Sequence, residues 1–120
     1  MSPMRIAIAG ASGRMGRMLI EATTCDDGAR LVAALDRADS PAIGEDACAF
    51  LGIRSGVQIS SDIDAALAGA DFLIDFTRPE ATLMHLDACT RLGVRMIIGT
   101  TGFTDAQRAR LAEASGRLAI

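Results

Sequence analysis

The tightest constraint on this chain is the run Ile6-Ala7-Ile8-Ala9-Gly10-Ala11-Ser12-Gly13-Arg14-Met15-Gly16-Arg17-Met18-Leu19-Ile20. It predicts a buried strand, a glycine-rich turn and the opening of a helix. Gly10, Gly13 and Gly16 form a G-x-x-G-x-x-G series. Each glycine has a separate physical task in such a turn. Gly10 permits the sharp exit from the strand, Gly13 lets the backbone approach a pyrophosphate, and Gly16 lets the helix pack closely on the sheet. The helix N-terminus then presents unpaired N–H groups and the positive end of its dipole to the phosphates. The spacing alone is a weak signal. It gains force from the strand before it, the helix after it and an acid further on.

That acid is Asp36, which closes a second apolar run from Arg30 to Leu35. It lies twenty positions after Gly16, the usual offset to a ribose-binding carboxylate. Asp36 can accept hydrogen bonds from adenosine ribose hydroxyls, and Arg37 beside it suits a 2′-phosphate or the face of adenine.

The rest of the chain repeats the strand–helix alternation. Strand one covers Arg5 to Ala9, and helix one runs from Arg14 to Thr24 with Met15, Met18, Leu19 and Ala22 expected toward the sheet. Residues 38–56 read as an irregular stretch with a helical turn at 45–51. A short strand follows at 57–60, then a helix capped by Ser61-Asp62 and ending at Gly69. Strand four is predicted at 72–76. Thr77 and Glu80 have capping-box spacing at the start of a helix that stops at Gly93. Its Leu83, Leu86 and Cys89 are expected to be buried, and His85 has no partner visible in the sequence. Strand five spans Arg95 to Ile98. Thr104 and Gln107 open a helix at 105–115, and Leu118 to Ile120 begin a sixth strand.

Alternating strands and helices of this kind predict an α/β, Rossmann-like doubly wound parallel sheet in three layers. Ligands of such sheets sit beyond the carboxyl ends of the strands. That edge gathers Gly10 to Gly16, Asp36-Arg37, Phe76-Thr77-Arg78 and Gly99 to Gly102. The whole of residues 1–120 reads as one dinucleotide-binding domain, incomplete at its C-terminal end.

Composition excludes several functions. The net charge is −3 and the pI about 5.0, which gives no basic field for nucleic acid or an anionic membrane. No apolar run approaches the roughly 18 residues of a membrane span, and the first strand begins too early for a signal peptide. Cys25, Cys48 and Cys89 are odd in number and scattered, so neither a metal centre nor a disulfide framework is expected, and a reducing cytoplasm fits best. All 12 basic residues are Arg; Lys, Tyr and Trp are absent.

Three runs together carry a family resemblance: Ala9-Gly10-Ala11-Ser12-Gly13-Arg14-Met15-Gly16, Asp75-Phe76-Thr77-Arg78-Pro79-Glu80 and Ile98-Gly99-Thr100-Thr101-Gly102-Phe103. They resemble 4-hydroxy-tetrahydrodipicolinate reductase, formerly dihydrodipicolinate reductase, of the diaminopimelate route to lysine, over essentially the whole chain. The resemblance implies NADH or NADPH as cofactor. Gly10, Ala11, Ser12, Gly13, Arg14 and Met15 would hold the pyrophosphate, Asp36 and Arg37 the ribose end, and Thr77, Gly99, Thr100 and Thr101 the nicotinamide end. Thr101 would also touch the substrate, a small cyclic dicarboxylate. The family's catalytic residues lie in a second domain containing a His-His segment, a following Lys and a Ser-Gly-Thr run. None of these occurs here, so no catalytic residue is expected in this chain, and the fragment alone is expected to be inactive. The resemblance further implies that the intact enzyme is a homotetramer, as members of the family usually are.

Three other readings compete. A short-chain dehydrogenase or epimerase shares the glycine series but needs a Tyr-x-x-x-Lys pair, for which this chain has neither residue. A stand-alone NAD(P)-binding regulatory module would look the same at the cofactor edge. A methyltransferase shares only the acid after strand two.

Overall fold

A computed structural model of the chain describes residues 3–115. Among these residues, five strands form one parallel sheet: β1 (Met4–Ala9), β2 (Ala29–Leu35), β3 (Ile59–Ser60), β4 (Phe72–Asp75) and β5 (Arg95–Ile98). Their order across the sheet is β3-β2-β1-β4-β5. The chain thus winds outward from β1 in both directions, and the switch point lies between β1 and β4. Among the described residues the helices are α1 (Arg14–Thr24), α2 (Ile63–Leu67), α3 (Pro79–Leu92) and α4 (Asp105–Ser115), with a 3-10 turn at Ala49–Leu51. The sixth strand expected at Leu118 to Ile120 lies outside the described residues.

The two faces of the sheet bury separate cores. Ile6, Ile8, Leu31 and Ala34 pack with Ile20 of α1 and with Ala42, Ala47 and Cys48 of the irregular stretch. Ala7, Ala9, Ala33, Leu35 and Leu73 pack with Leu67 of α2 and with Leu86 and Cys89 of α3. Strand alternation accounts for this division in β1. In β2 it is interrupted: the register with β1 shifts between Ile6 and Ala7, so that Leu31 and Ala33 are successive partners. Val32 and Ala33 both join the α3 side, as expected where a bulge inserts one residue.

The burial of α1 departs from the expected face. Its buried residues are Gly16, Ile20 and Thr23, with Leu19 packed partly against them. Met15 and Met18 are exposed, as is Ala22. The reason is contact distance. A Cβ on Gly16 would stand 1.9 Å from the Gly10 carbonyl oxygen. The helix touches the strand exit at Gly16, and residues three, four and seven further on follow it inward. The methionine periodicity lies about one residue out of phase with that contact.

The start of α3 also differs. Thr77 and Glu80 form no capping box: the N-cap is Arg78, without a side-chain cap bond, and Pro79 is the first helical residue. Thr77 instead donates its hydroxyl to Asp75 Oδ1 at 2.6 Å. The box at α4 does form. The Thr104 N–H donates to Gln107 Oε1 at 2.8 Å, and the Gln107 N–H to Thr104 Oγ1 at 3.2 Å. Asp62 caps α2 through the Ala65 N–H, and Gly93 closes α3 with φ 71°. Asp46 organises the stretch before β3 by accepting from the N–H groups of Cys48, Ser55 and Gly56. These donors hold its carboxyl well below the usual carboxylate range.

Candidate functional site

One cleft of about 550 Å³ opens at the carboxyl end of the sheet, over the switch point. Its walls come from four segments: Gly10, Ser12 and Gly13; Leu35, Asp36, Arg37 and Ala38; Ser61 and Ile63; and Phe76, Thr77, Arg78, Ala81, Met84 and His85.

The glycine turn is built as its sequence requires. Gly10 has φ 85°, and a Cβ there would lie 2.6 Å from the Phe76 carbonyl oxygen. This residue is therefore both left-handed and jammed between the ends of β1 and β4, a combination only glycine satisfies. The N–H groups of Gly10 and Ala11 both donate to the Leu35 carbonyl, and that of Gly13 to the Gly10 carbonyl. These bonds fix the turn from below. A Cβ on Gly13 would meet only the Gly10 oxygen, at 3.3 Å, and would otherwise occupy the cleft that Gly13 lines. Gly13 is the N-cap of α1, so the first-turn N–H groups of Arg14, Met15 and Gly16 have no acceptor within the helix. The cradle fits an anion: bare backbone, unpaired donors and the positive helix end meet at one place.

Asp36 stands at the end of β2 and is half-buried. It accepts from the Ser12 hydroxyl, from the Ser40 hydroxyl at 3.0 Å and from the Arg37 N–H at 2.9 Å. The carboxylate is thereby held beside the glycine turn, its orientation set by three donors. Arg37 is mostly exposed and pairs with Asp39, Nε to Oδ1 at 2.9 Å. An exposed pair of this type contributes little, so the guanidinium can turn to another anion.

Among the expected site residues, Gly10, Ser12, Gly13, Asp36, Arg37 and Thr77 share the cleft. Ala11 lies beneath it as part of the α1-side core. Arg14 and Met15 are on the exposed first turn of α1. Gly99, Thr100 and Thr101 occupy the turn after β5, adjacent to the cleft but not among its walls. They are tied to it: the Thr77 N–H donates to Thr100 Oγ1 at 3.0 Å. A Cβ on Gly99 would fall 2.1 Å from the Phe76 ring, so the two turns are in direct contact. The Thr100 side chain is buried, while Thr101 is exposed.

His85 has a partner that the sequence did not reveal. Its Nδ1 lies 2.9 Å from Asp75 Oδ2, with both side chains buried. Ser40 and Ser61 were also missed as site residues. For His85 the signal was available: a polar residue inside the apolar run Leu83-Met84-His85-Leu86, and a carboxylate ending an apolar strand. Cys89, on the same helix, has its thiol pushed up to about 12, chiefly by burial and also by the charge of Asp75. A thiol with that environment is inert. Among the described residues no group of three or more His, Cys, Asp or Glu could hold a metal ion, and no helix is long and apolar enough to cross a membrane.

Fold and cleft together are those of the Rossmann-like, doubly wound nucleotide-binding class. Comparison with known proteins narrows this. A family model described as dihydrodipicolinate reductase, N-terminus, matches residues 4–120, and the chain belongs to that family. It is 60% identical over 117 residues to the 4-hydroxy-tetrahydrodipicolinate reductase of Burkholderia lata, covering 98% of this chain and 44% of that protein. With the reductase of Burkholderia pseudomallei the identity is 58% over 120 residues, or 100% of this chain and 45% of the relative. The chain therefore spans less than half the length of these relatives. Among solved structures, a dipicolinate-bound dihydrodipicolinate reductase from Paenisporosarcina sp. TG-14 superposes with a TM-score of 0.74 at 26% identity, over 94% of this chain and 43% of the other. A biliverdin reductase from Synechocystis, solved with biliverdin and NADP+, shares the fold at 18% identity and a TM-score of 0.76, over 98% of this chain and 37% of that one.

Proposed function

We propose that this chain binds NADH or NADPH across the cleft and is the cofactor-holding portion of a reductase. That enzyme would convert 4-hydroxy-tetrahydrodipicolinate to tetrahydrodipicolinate in the diaminopimelate route to lysine. The observation that carries the reading is the convergence of Gly10, Gly13, Asp36 and Thr77 on one cleft at the switch point, in a member of this family.

The roles follow the geometry. The backbone from Gly10 to Met15 would take the pyrophosphate at the N-terminus of α1. Asp36, already oriented by Ser12 and Ser40, would accept from the ribose hydroxyls. Arg37 would leave Asp39 for the 2′-phosphate of NADPH. Thr77 and the turn Gly99 to Thr101 would flank the nicotinamide, with the exposed Thr101 reaching the substrate, a cyclic dicarboxylate. The bound cofactor supplies a hydride; the chain supplies its placement, an orientation effect. The catalytic and most substrate-binding residues would lie outside these 120 residues, the intact enzyme would be a cytoplasmic homotetramer, and this chain alone would not turn over substrate.

Arg37→Ala tests the assignment of the ribose end. Loss of one charge-assisted contact predicts a roughly tenfold weaker NADPH affinity, with NADH changed by less than about twofold because an exposed ion pair contributes little. Titration calorimetry of both cofactors against both proteins reads this directly. Equal losses for the two cofactors would remove Arg37 from the phosphate role.

A further inference from the structure

Asp75 ends β4 with its side chain fully buried. A buried carboxylate is costly unless donors surround it, and this one has donors from three different elements. His85 of α3 lies at 2.9 Å from Oδ2. Thr77 of the β4–α3 turn donates its hydroxyl to Oδ1 at 2.6 Å. Thr100 of the β5–α4 turn is 3.4 Å from the same oxygen. The hydrogens can be followed one by one. Thr100 Oγ1 already accepts from the Thr77 N–H at 3.0 Å and from the Thr82 hydroxyl at 2.9 Å. Its own proton is left for Asp75, whose side-chain and main-chain oxygens stand at 3.4 and 3.5 Å. The bonds Thr77 to Asp75, Thr82 to Thr100 and Thr100 to Asp75 thus run in one direction, toward the Asp75 side chain. Reversing one direction disturbs the placement of both turns.

We propose that Asp75 is a positioning residue for the nicotinamide end of the cleft. Through Thr77, Thr82 and Thr100 it would hold the β4–α3 and β5–α4 turns in the one arrangement that receives that ring. The proposal rests on the cofactor reading above and adds to it a buried residue that touches no cofactor. It differs from a general structural role in one respect. Asp75 should matter for the nicotinamide half of the ligand and not for the adenosine half, which the glycine turn and Asp36 would hold.

The test compares NADH with ADP-ribose, which lacks the nicotinamide, by calorimetry on the native chain and on Asp75→Asn. The variant keeps the side-chain volume but turns one acceptor oxygen into a donor. The expected result is a loss of about fivefold or more in NADH affinity, the size of one hydrogen bond, with ADP-ribose unchanged within about twofold. Equal losses for both ligands, or no loss for either, would overturn the proposal. So would a native chain that binds the two ligands equally, because the nicotinamide would then make no contact to position. A native chain that binds neither ligand would overturn the cofactor reading itself, and the proposal with it. If Asp75→Asn does not fold by circular dichroism, Thr82→Val and Thr82→Ser take its place. Valine removes the hydroxyl at equal volume and should lower NADH affinity alone, whereas serine should restore it; identical behaviour of the two variants would overturn the proposal.

Discussion

Replacing Gly16 with alanine is expected to collapse the glycine turn, with the largest effect on stability of any glycine-to-alanine change among the described residues. The added Cβ would stand 1.9 Å from the Gly10 carbonyl oxygen and 2.7 Å from its carbonyl carbon. Both are backbone atoms, so no side chain can rotate away. The Gly10 carbonyl is itself occupied, since it accepts from the Gly13 N–H at 3.0 Å. Relief requires α1 to move off the sheet, which would open the packing of Ile20 in the α1-side core. Overpacking against backbone that cannot rotate away falls at the upper end of the usual range, about 3 kcal/mol. For a domain of this length, that lowers Tm by about 10 °C. The helix N-terminus would shift with α1, so cofactor affinity should fall as well. Thermal unfolding followed by circular dichroism checks the first effect. An unchanged Tm would mean that α1 does not make the close approach described.

Asp36→Ala is expected to have the largest effect on binding among side chains that leave the fold intact. Asp36 accepts from Ser12, Ser40 and the Arg37 N–H, so it serves two purposes. It pins the glycine turn to the end of β2, and it presents a charged acceptor to the cleft. A hydrogen bond to a charged group contributes about 1.5–3 kcal/mol, which predicts roughly a 10- to 100-fold loss of NADH affinity. The loss for NADPH should be smaller, because removing the carboxylate also removes its repulsion of a 2′-phosphate. Parallel titrations of the two cofactors read both effects. Equal losses would show that Asp36 acts only by pinning the turn.

The glycine turn was legible in the sequence because its requirements are local. Gly10 must be left-handed and Gly16 must lack a Cβ, and such demands are written at single positions. The Thr104–Gln107 box was legible for the same reason, since both partners lie within one helical turn. The facing of α1 was not. Met15, Met18 and Ala22 satisfy helical periodicity, yet the inner face is set by where Gly16 meets another segment, which periodicity does not encode. The Thr77–Glu80 spacing misled because the Thr77 hydroxyl has a stronger claim elsewhere, on the buried Asp75 carboxylate. The Asp75–His85 pair was hidden because it joins a strand end to the middle of the following helix. The two polar residues inside apolar runs were its only trace.

A calorimetric titration of NADH and NADPH into the folded chain shows directly whether the cleft holds a dinucleotide. Saturable binding of both, one per chain, is the predicted result. A chain with the expected circular dichroism that binds neither would contradict the assignment of the cleft at the end of β1 and β4 to a dinucleotide.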